Sequence, residues 1–142
     1  MIKVCRIKYS DESSVEQAKS IRTKVFVEEQ KVAPELEYDE VESESHHYLV
    51  LVNEKPVGAA RWRETSKGIK LERFAILSGY RNKGIGTVLL KEVMNDILPL
   101  NRPIMLHSQL KAISYYERQG FRKEGDIFSE AGIEHYLMVY KK

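Results

Sequence analysis

The chain has 142 residues, of which 42% are hydrophobic and 31% charged, and its formal net charge is +2. This composition is typical of one globular domain with its own core and excludes a disordered chain. No apolar run approaches the ~20 residues of a membrane span, so we expect no membrane segment. The single cysteine, Cys5, cannot form an internal disulfide, which favours a reducing, cytoplasmic location.

Charge is unevenly distributed along the chain. Residues 28–44 carry eight acids and one base, whereas residues 61–91 carry eight bases and two acids. One stretch could suit a cationic ligand and the other an anionic ligand; two solvated faces of opposite sign are the alternative. The small net charge does not indicate a nucleic-acid partner, and we expect none.

The predicted elements begin with an alternating strand over residues 2–9. Asp11 can cap a helix whose apolar positions run from Val15 to Phe26. Pro34 and the acidic residues after it predict a loop. A hairpin and a further strand follow, at residues 47–52, 57–64 and 69–77.

The second half of the chain continues with a helix over residues 84–98, in which apolar residues recur every four positions and which Pro99 ends. Residues 111–119 predict another helix, closed by Gly120. The remaining strands are predicted at residues 104–107, 121–125 and 134–140. The order β-α-β-β-β-α-β-α-β-β predicts a mixed α/β sheet in one domain, residues 1–142.

The turn before the second helix carries the strongest functional signal. Gly84 and Gly86 lack Cβ atoms, so an anion can approach the unpaired N–H groups of the first helical turn. Arg81 and Lys83 add positive charge beside them, and Thr87 adds a hydroxyl. The segment therefore predicts a cradle for a pyrophosphate; a flexible turn into an amphipathic helix is the alternative reading.

Other phosphate motifs fit this turn poorly. A dinucleotide-binding turn would need a third glycine where Leu89 stands, and a P-loop would need Lys and Ser or Thr after Gly84. What remains is the pattern R-x-x-G-x-G, beginning at Arg81.

Two motifs together resemble the GNAT (Gcn5-related N-acetyltransferase) superfamily. Arg81-x-x-Gly84-x-Gly86 after a strand resembles its acyl-CoA signature, and residues 112–121 resemble its later motif A-x-x-[FY]-Y-E-x-x-G-F. Residues 22–30 resemble an uncharacterised bacterial branch, in a region that usually lines the acceptor site. The resemblance implies a mostly antiparallel sheet with a splayed central strand pair, flanked by helices.

The resemblance also implies a function: transfer of an acetyl group from acetyl-CoA to a primary amine of a small molecule or a protein. A domain that binds acyl-CoA without turnover is the alternative. A more distant alternative is a domain that binds another protein through the acidic residues 35–44. The family further implies a possible homodimer, and we expect no metal because the histidines lack metal-ligand spacing.

The implied cofactor site combines the backbone of one splayed strand with the turn. Its predicted members are Phe74, Ala75, Ile76, Arg81, Asn82, Lys83, Gly84, Ile85, Gly86, Thr87 and Tyr115. Tyr116 matches the family tyrosine that points at the cofactor sulfur, and its protonated phenol can donate to the leaving thiolate. A tyrosine packed in the core is the alternative for Tyr116.

Glu72 is the predicted catalytic base. Strand alternation places it on the same face as Phe74 and Ile76, where apolar neighbours would raise its pKa. A salt bridge to Lys70 or Arg73 is the alternative, and an ordered water can serve as the base instead. His107 is a candidate second proton carrier, or else a satisfied histidine at a strand end.

Five further side chains are candidate contacts to the acceptor, each with a solvated surface role as the alternative. They are Arg22, Glu28, Glu29, Arg61 and Arg63.

Overall fold

The computed structural model describes residues 1–33 and 44–141. The strands in these ranges are β1 (Ile2–Ile7), β2 (His46–Val52), β3 (Lys55–Thr65), β4 (Gly68–Ile76), β5 (Ile104–Gln109), β6 (Phe121–Glu130) and β7 (Ile133–Tyr140). The helices are α1 (Glu12–Arg22), α2 (Ile85–Ile97) and α3 (Ile113–Arg118). The loop predicted after Pro34 lies outside the described residues.

The helix ends follow from local chemistry. The Asp11 carboxylate caps α1 by accepting from the Ser14 N–H at 3.3 Å, as the sequence predicted. Helix α1 continues directly into a π-helical segment, Thr23–Glu29, in which each backbone hydrogen bond spans five residues instead of four. The sequence predicted one continuous helix there. None of the helices in the described ranges has the length and apolarity that a membrane crossing requires.

One seven-stranded sheet, ordered β1-β2-β3-β4-β5-β7-β6, forms the centre of the described structure. All neighbours pair antiparallel except β4 and β5, which are parallel. That parallel contact consists of three residue pairs and ends at Leu71 and Leu106. Beyond it, β4 stays paired with β3 while β5 stays paired with β7, so the two strands diverge. The predicted splayed central pair is confirmed.

The two faces of the sheet bury separate cores. Helix α2 packs Leu89, Val93 and Ile97 into the larger core, which includes Phe121 and Met138 from the last strands. Helix α1 covers the opposite face, where a smaller cluster is buried. Its members are Ala18, Ile21, Val25, Leu49, Ala59 and Ala75. The splay between β4 and β5 therefore has one side facing α2 and another facing α1.

A bulge in β4 reverses the alternation of its side chains. The register passes from Arg61–Glu72 to Ala59–Ala75, so β4 contributes one residue more than β3 across this interval. Arg73 has a positive φ of 56°, which marks the distortion. Side chains before and after Arg73 are consequently out of phase along the strand.

Two of the described strands extend at least two residues past their predicted C-terminal ends. β6 continues past Gly125 to Glu130, with an irregular register between Glu124 and Phe128, because β7 supplies pairing partners on both sides of the irregularity. β5 continues past His107 to Gln109 for the same reason. His107 is therefore not at a strand end, as the sequence had indicated, but inside a strand at the start of the splay.

Candidate active site

The start of α2 exposes backbone donors to open space. Gly84 is the N-cap residue, with a positive φ of 80°, and no side-chain hydrogen bond caps the helix within the described part of the chain. A Cβ added at Gly84 would meet no atom within 4 Å, and one at Gly86 would meet only Ile76 Cγ1 at 3.9 Å. Internal packing thus gives no reason for a glycine at position 86. Uncapped N–H groups at a helix start suit an anion such as a phosphate, and a glycine without a Cβ would let that anion come close to them.

Arg81, just before this turn, is engaged by the fold itself. Its Nε donates to the Ile76 carbonyl at 2.9 Å, and its two terminal nitrogens form an ion pair with Glu29 at 2.6 and 2.8 Å. This hydrogen bonding lowers the pKa of Glu29 and raises that of Arg81. The positive charge that Arg81 was predicted to add beside the turn is therefore balanced by Glu29. The side chain of Lys83, by contrast, is exposed beside the turn.

Two tyrosines of α3 pack against the larger core, on the α2 side of the sheet. The Tyr115 hydroxyl is 3.1 Å from Thr87 Oγ1, which connects α3 to the first turn of α2. The Tyr116 ring packs edge-on against Tyr115 and Phe121, at centroid distances of 5.2 and 5.8 Å. Burial raises the pKa of Tyr116, so its hydroxyl keeps its proton at neutral pH. Both alternatives for Tyr116 are compatible with this placement, since the ring is packed and the hydroxyl remains a donor.

The predicted strand residues divide between the two faces. Phe74 and Ile76 pack against the same core as the two tyrosines, on the α2 side. Ala75 instead belongs to the smaller core beneath α1. The Ile76 carbonyl already accepts a hydrogen bond from Arg81, so one of the backbone groups predicted to pair with the cofactor has a partner within the chain.

Glu72 lies on the other face from the one predicted. On the neighbouring strand β3, Arg61 pairs with Glu72 and Ala59 pairs with Ala75. Arg61 and Ala59 are two positions apart, so they lie on the same face of the sheet. Glu72 and Ala75 therefore share the α1 face, whereas Phe74 points to the α2 face. The expectation that Glu72 lies among those apolar side chains is wrong because the bulge at Arg73 inserts one residue.

The surroundings of Glu72 are cationic. Its carboxylate lies 2.9 Å from Arg61, 2.9 Å from Arg63 and 3.1 Å from Lys70. Burial opposes the negative charge, but these cations hold the pKa of Glu72 below its usual value. The expected raised pKa is thus wrong, and the salt bridge to Lys70 that was the alternative is present.

A cluster that the sequence did not predict lies at the α1 side of β5. His107 Nδ1 is 2.9 Å from Glu130 Oε1, and His135 Nε2 is 3.9 Å from Glu130 Oε2. The Phe128 ring contacts the His107 ring edge-on at 4.9 Å. The hydrogen bond from His107 lowers the pKa of Glu130 to about 2. Only the unpredicted length of β6 brings Glu130 to His107.

The candidate acceptor residues have different environments. Arg22 and Arg61 are 2% and 0% exposed, so a solvated surface role is wrong for both. Glu29 pairs with Arg81, and Glu28 is exposed. The acidic residues 35–43 lie outside the described part of the chain.

A cavity of about 420 Å³ opens at the α1 side of the splay. It lies between the end of the π-helical segment and the end of β5, which the Gln109 side chain connects by donating to Gln30 at 2.7 Å. Its lining residues are Glu29, Gln30, Gln109, Leu110, Lys111, Ile133 and Glu134.

Known sequences resemble the chain over most of its length. The family model of the acetyltransferase (GNAT) domain matches residues 5–142. The uncharacterized N-acetyltransferase YjcF of Bacillus subtilis is 37% identical over 131 residues, covering 91% of this chain and 94% of that protein. The B. subtilis protein YyaT is 35% identical over 134 residues, with 90% and 89% covered.

Solved structures show the same fold. Escherichia coli ElaA superposes with a TM-score of 0.89 at 21% identity, covering 99% of this chain and 100% of that one. An acyl-CoA N-acyltransferase from Pseudomonas aeruginosa gives 0.88 at 23% identity, with the same coverage. PaiA N-acetyltransferase from Thermoplasma acidophilum, solved in complex with coenzyme A, gives 0.69 at 15% identity, covering 100% and 99%. With the family model matching nearly every residue and a relative above one-third identity, this chain belongs to the GNAT acetyltransferase family.

Proposed function

We propose that the protein transfers an acetyl group from acetyl-CoA to a primary amine, carried by a small molecule or by a protein. The first turn of α2 carries this proposal. Its amides are uncapped and face open space, and the glycine at position 86 has no internal packing reason. The turn lies beside the splayed strands, so a pyrophosphate held there leaves an extended arm free to enter the splay.

Acetyl transfer to an amine requires a proton donor for the departing thiolate. Tyr116 is the proposed donor, because burial keeps its hydroxyl protonated and α3 holds it on the α2 side of the splay. The Tyr115–Thr87 contact fixes α3 against the phosphate-binding turn. This contact supports the placement of the Tyr116 hydroxyl relative to the bound cofactor.

A binding module that holds acyl-CoA without turnover is the second candidate. The observation that favours it is the ion-paired state of Glu72, which makes this carboxylate a poor proton acceptor. Both candidates share the same cofactor turn, so affinity for CoA does not separate them. Turnover does.

The test is to incubate the purified protein with acetyl-CoA and a panel of primary amines and to follow the release of free thiol. We expect amine-dependent thiol release. Tight binding of CoA with no release for any amine would contradict the enzyme and favour the module. No binding of CoA or its thioesters would contradict both.

A further inference from the structure

His107 stands at the point where the sheet opens. It is the first residue of β5 after the last pair with β4, Leu71–Leu106. Strand alternation places it opposite to Leu106, whose side chain is in the α2-side core. His107 therefore faces α1, as does Gln109, which bonds to Gln30 after the π-helical segment. Its side chain is 28% exposed, so it can be reached from the α1 side of the splay.

Glu130 fixes both the orientation and the tautomer of His107. An ionised carboxylate only accepts hydrogen bonds, and the low pKa of Glu130 keeps it ionised at neutral pH. At 2.9 Å the Nδ1 atom of a neutral His107 must therefore carry the proton, which leaves a lone pair on Nε2. The Phe128 ring packed edge-on against the imidazole limits its rotation. Among the described residues, nothing forms a hydrogen bond with Nε2.

The other ionisable groups around His107 are poorer bases. Glu72 and Lys70, on the same face of β4, form an ion pair with each other, and Glu72 also contacts Arg63. His135 on β7 is 6% exposed, so an acceptor amine reaches its ring less easily than that of His107. His107 is thus the group at the splay with both an available acceptor atom and a reachable position.

We infer that His107 is the general base that takes the proton from the acceptor amine, and that Glu130 is the residue that positions it; this inference rests on the proposed function. The amine nitrogen forms a bond to the acetyl carbonyl carbon and gives a proton to His107 Nε2. The carbon–sulfur bond breaks, the electron pair leaves with sulfur, and the Tyr116 hydroxyl protonates the thiolate. Reprotonation of Tyr116 and loss of the proton from His107 to solvent restore the enzyme, with amide and CoA thiol as products. Base and acid thus act from opposite faces of the sheet.

The experiment compares His107→Asn with the wild-type protein. The asparagine side-chain NH₂ lies near the place of Nδ1 and can still donate to Glu130, while Nε2 is lost. His46→Asn is the matched control, since His46 is exposed and lies on β2, three strands away from β5, where it stacks on Trp62 of β3. With the amine from the panel that gives the fastest thiol release, we expect kcat of His107→Asn to fall by about 100-fold or more. The melting midpoint and the calorimetric affinity for CoA should stay at the wild-type values.

A second measurement does not depend on activity. Nitrogen NMR of the labelled ligand-free protein should show Nδ1 as the nitrogen that carries the proton in the neutral form of His107, whose signal is the one missing in His107→Asn. Glu130→Gln should weaken this preference, because its amide offers Nδ1 a donor as well as an acceptor, and should lower kcat without weakening CoA binding.

The outcomes separate the two proposals. Wild-type turnover together with a His107→Asn rate near that of wild type would overturn the base and leave the acetyltransferase standing, as would an Nε2-protonated tautomer. Failure of the wild-type protein to acetylate any amine would overturn the acetyltransferase and the base with it.

Discussion

Gly86→Ala is expected to stabilise the protein while weakening its affinity for CoA. A Cβ at position 86 meets only Ile76 Cγ1, at 3.9 Å, which is ordinary van der Waals contact. Position 86 is helical, and alanine is favoured over glycine in helices by about 0.5–1 kcal/mol. We therefore expect the free energy of unfolding to rise by about that amount and the melting midpoint by roughly 2–3 °C.

The same methyl group would occupy the space through which a phosphate approaches the amides. Loss of one hydrogen bond to a charged group costs about 1.5–3 kcal/mol, which corresponds to roughly a 10–100-fold weaker Kd. The assay is thermal unfolding with and without CoA, together with calorimetric titration. At a CoA concentration 100 times the wild-type Kd, the wild-type protein should gain about 2.7 kcal/mol, and Gly86→Ala much less.

Gly79→Ala is the matched control. Gly79 lies in the preceding turn, and a Cβ there meets no atom within 4 Å. Its CoA affinity should match the wild type. The reasoning would be refuted if Gly86→Ala bound CoA as tightly as the wild type, or if it unfolded at a lower temperature.

Four further predictions concern three other residues, Tyr116, Glu72 and Glu29. Tyr116→Phe keeps the ring but loses the hydroxyl proton, so kcat should fall by about 100-fold while the affinity for CoA stays unchanged. The control Tyr9→Phe, at an exposed tyrosine, should keep full activity. A Tyr116→Phe rate equal to that of the wild type would contradict the donor role. Glu72→Gln leaves three cations without their carboxylate and should lower the free energy of unfolding by about 3 kcal/mol in urea titrations, and a change below the experimental error would contradict the network. The pKa of Glu72 is lower in the folded protein than in the unfolded chain, where it is 4.5, so the ionised carboxylate stabilises the fold at pH values above 4.5. We expect this stabilisation to be lost as the pH falls through the lowered folded-state pKa, and urea titrations across this pH range would show the loss. Glu29→Gln removes the partner of Arg81, so CoA should bind more tightly and with a steeper salt dependence; weaker binding would show that the ion pair helps to build the site.

Local sequence signals predicted most of the fold, including the glycine turn at the start of α2. The cap at Asp11, the glycines of the turn and Pro99 after α2 each act within a few residues, and the helices begin and end close to them. The bulge at Arg73 has no such signal. One inserted residue moved Glu72 to the other face of the sheet and reversed the interpretation of its pKa.

Contacts between distant residues were also beyond the sequence. Glu29 and Arg81 are 52 positions apart, and His107 and Glu130 are 23 apart. Each pair depends on an element whose extent was not predicted: the π-helical segment in the first case and the full length of β6 in the second. Judged from their neighbours in the sequence, Glu29 and Glu130 both look like ordinary exposed surface residues.

The three-pair contact between β4 and β5 divides the sheet into two parts that are each contiguous in sequence, residues 2–76 and 104–140, with α2 between them. Each part closes its own antiparallel ladder, and in the described structure residues 69–71 and 103–106 form the backbone seam between them. A substrate arm inserted beside this seam adds contacts to both parts at once. Hydrogen exchange at the seam amides should therefore slow more on CoA binding than exchange within either ladder.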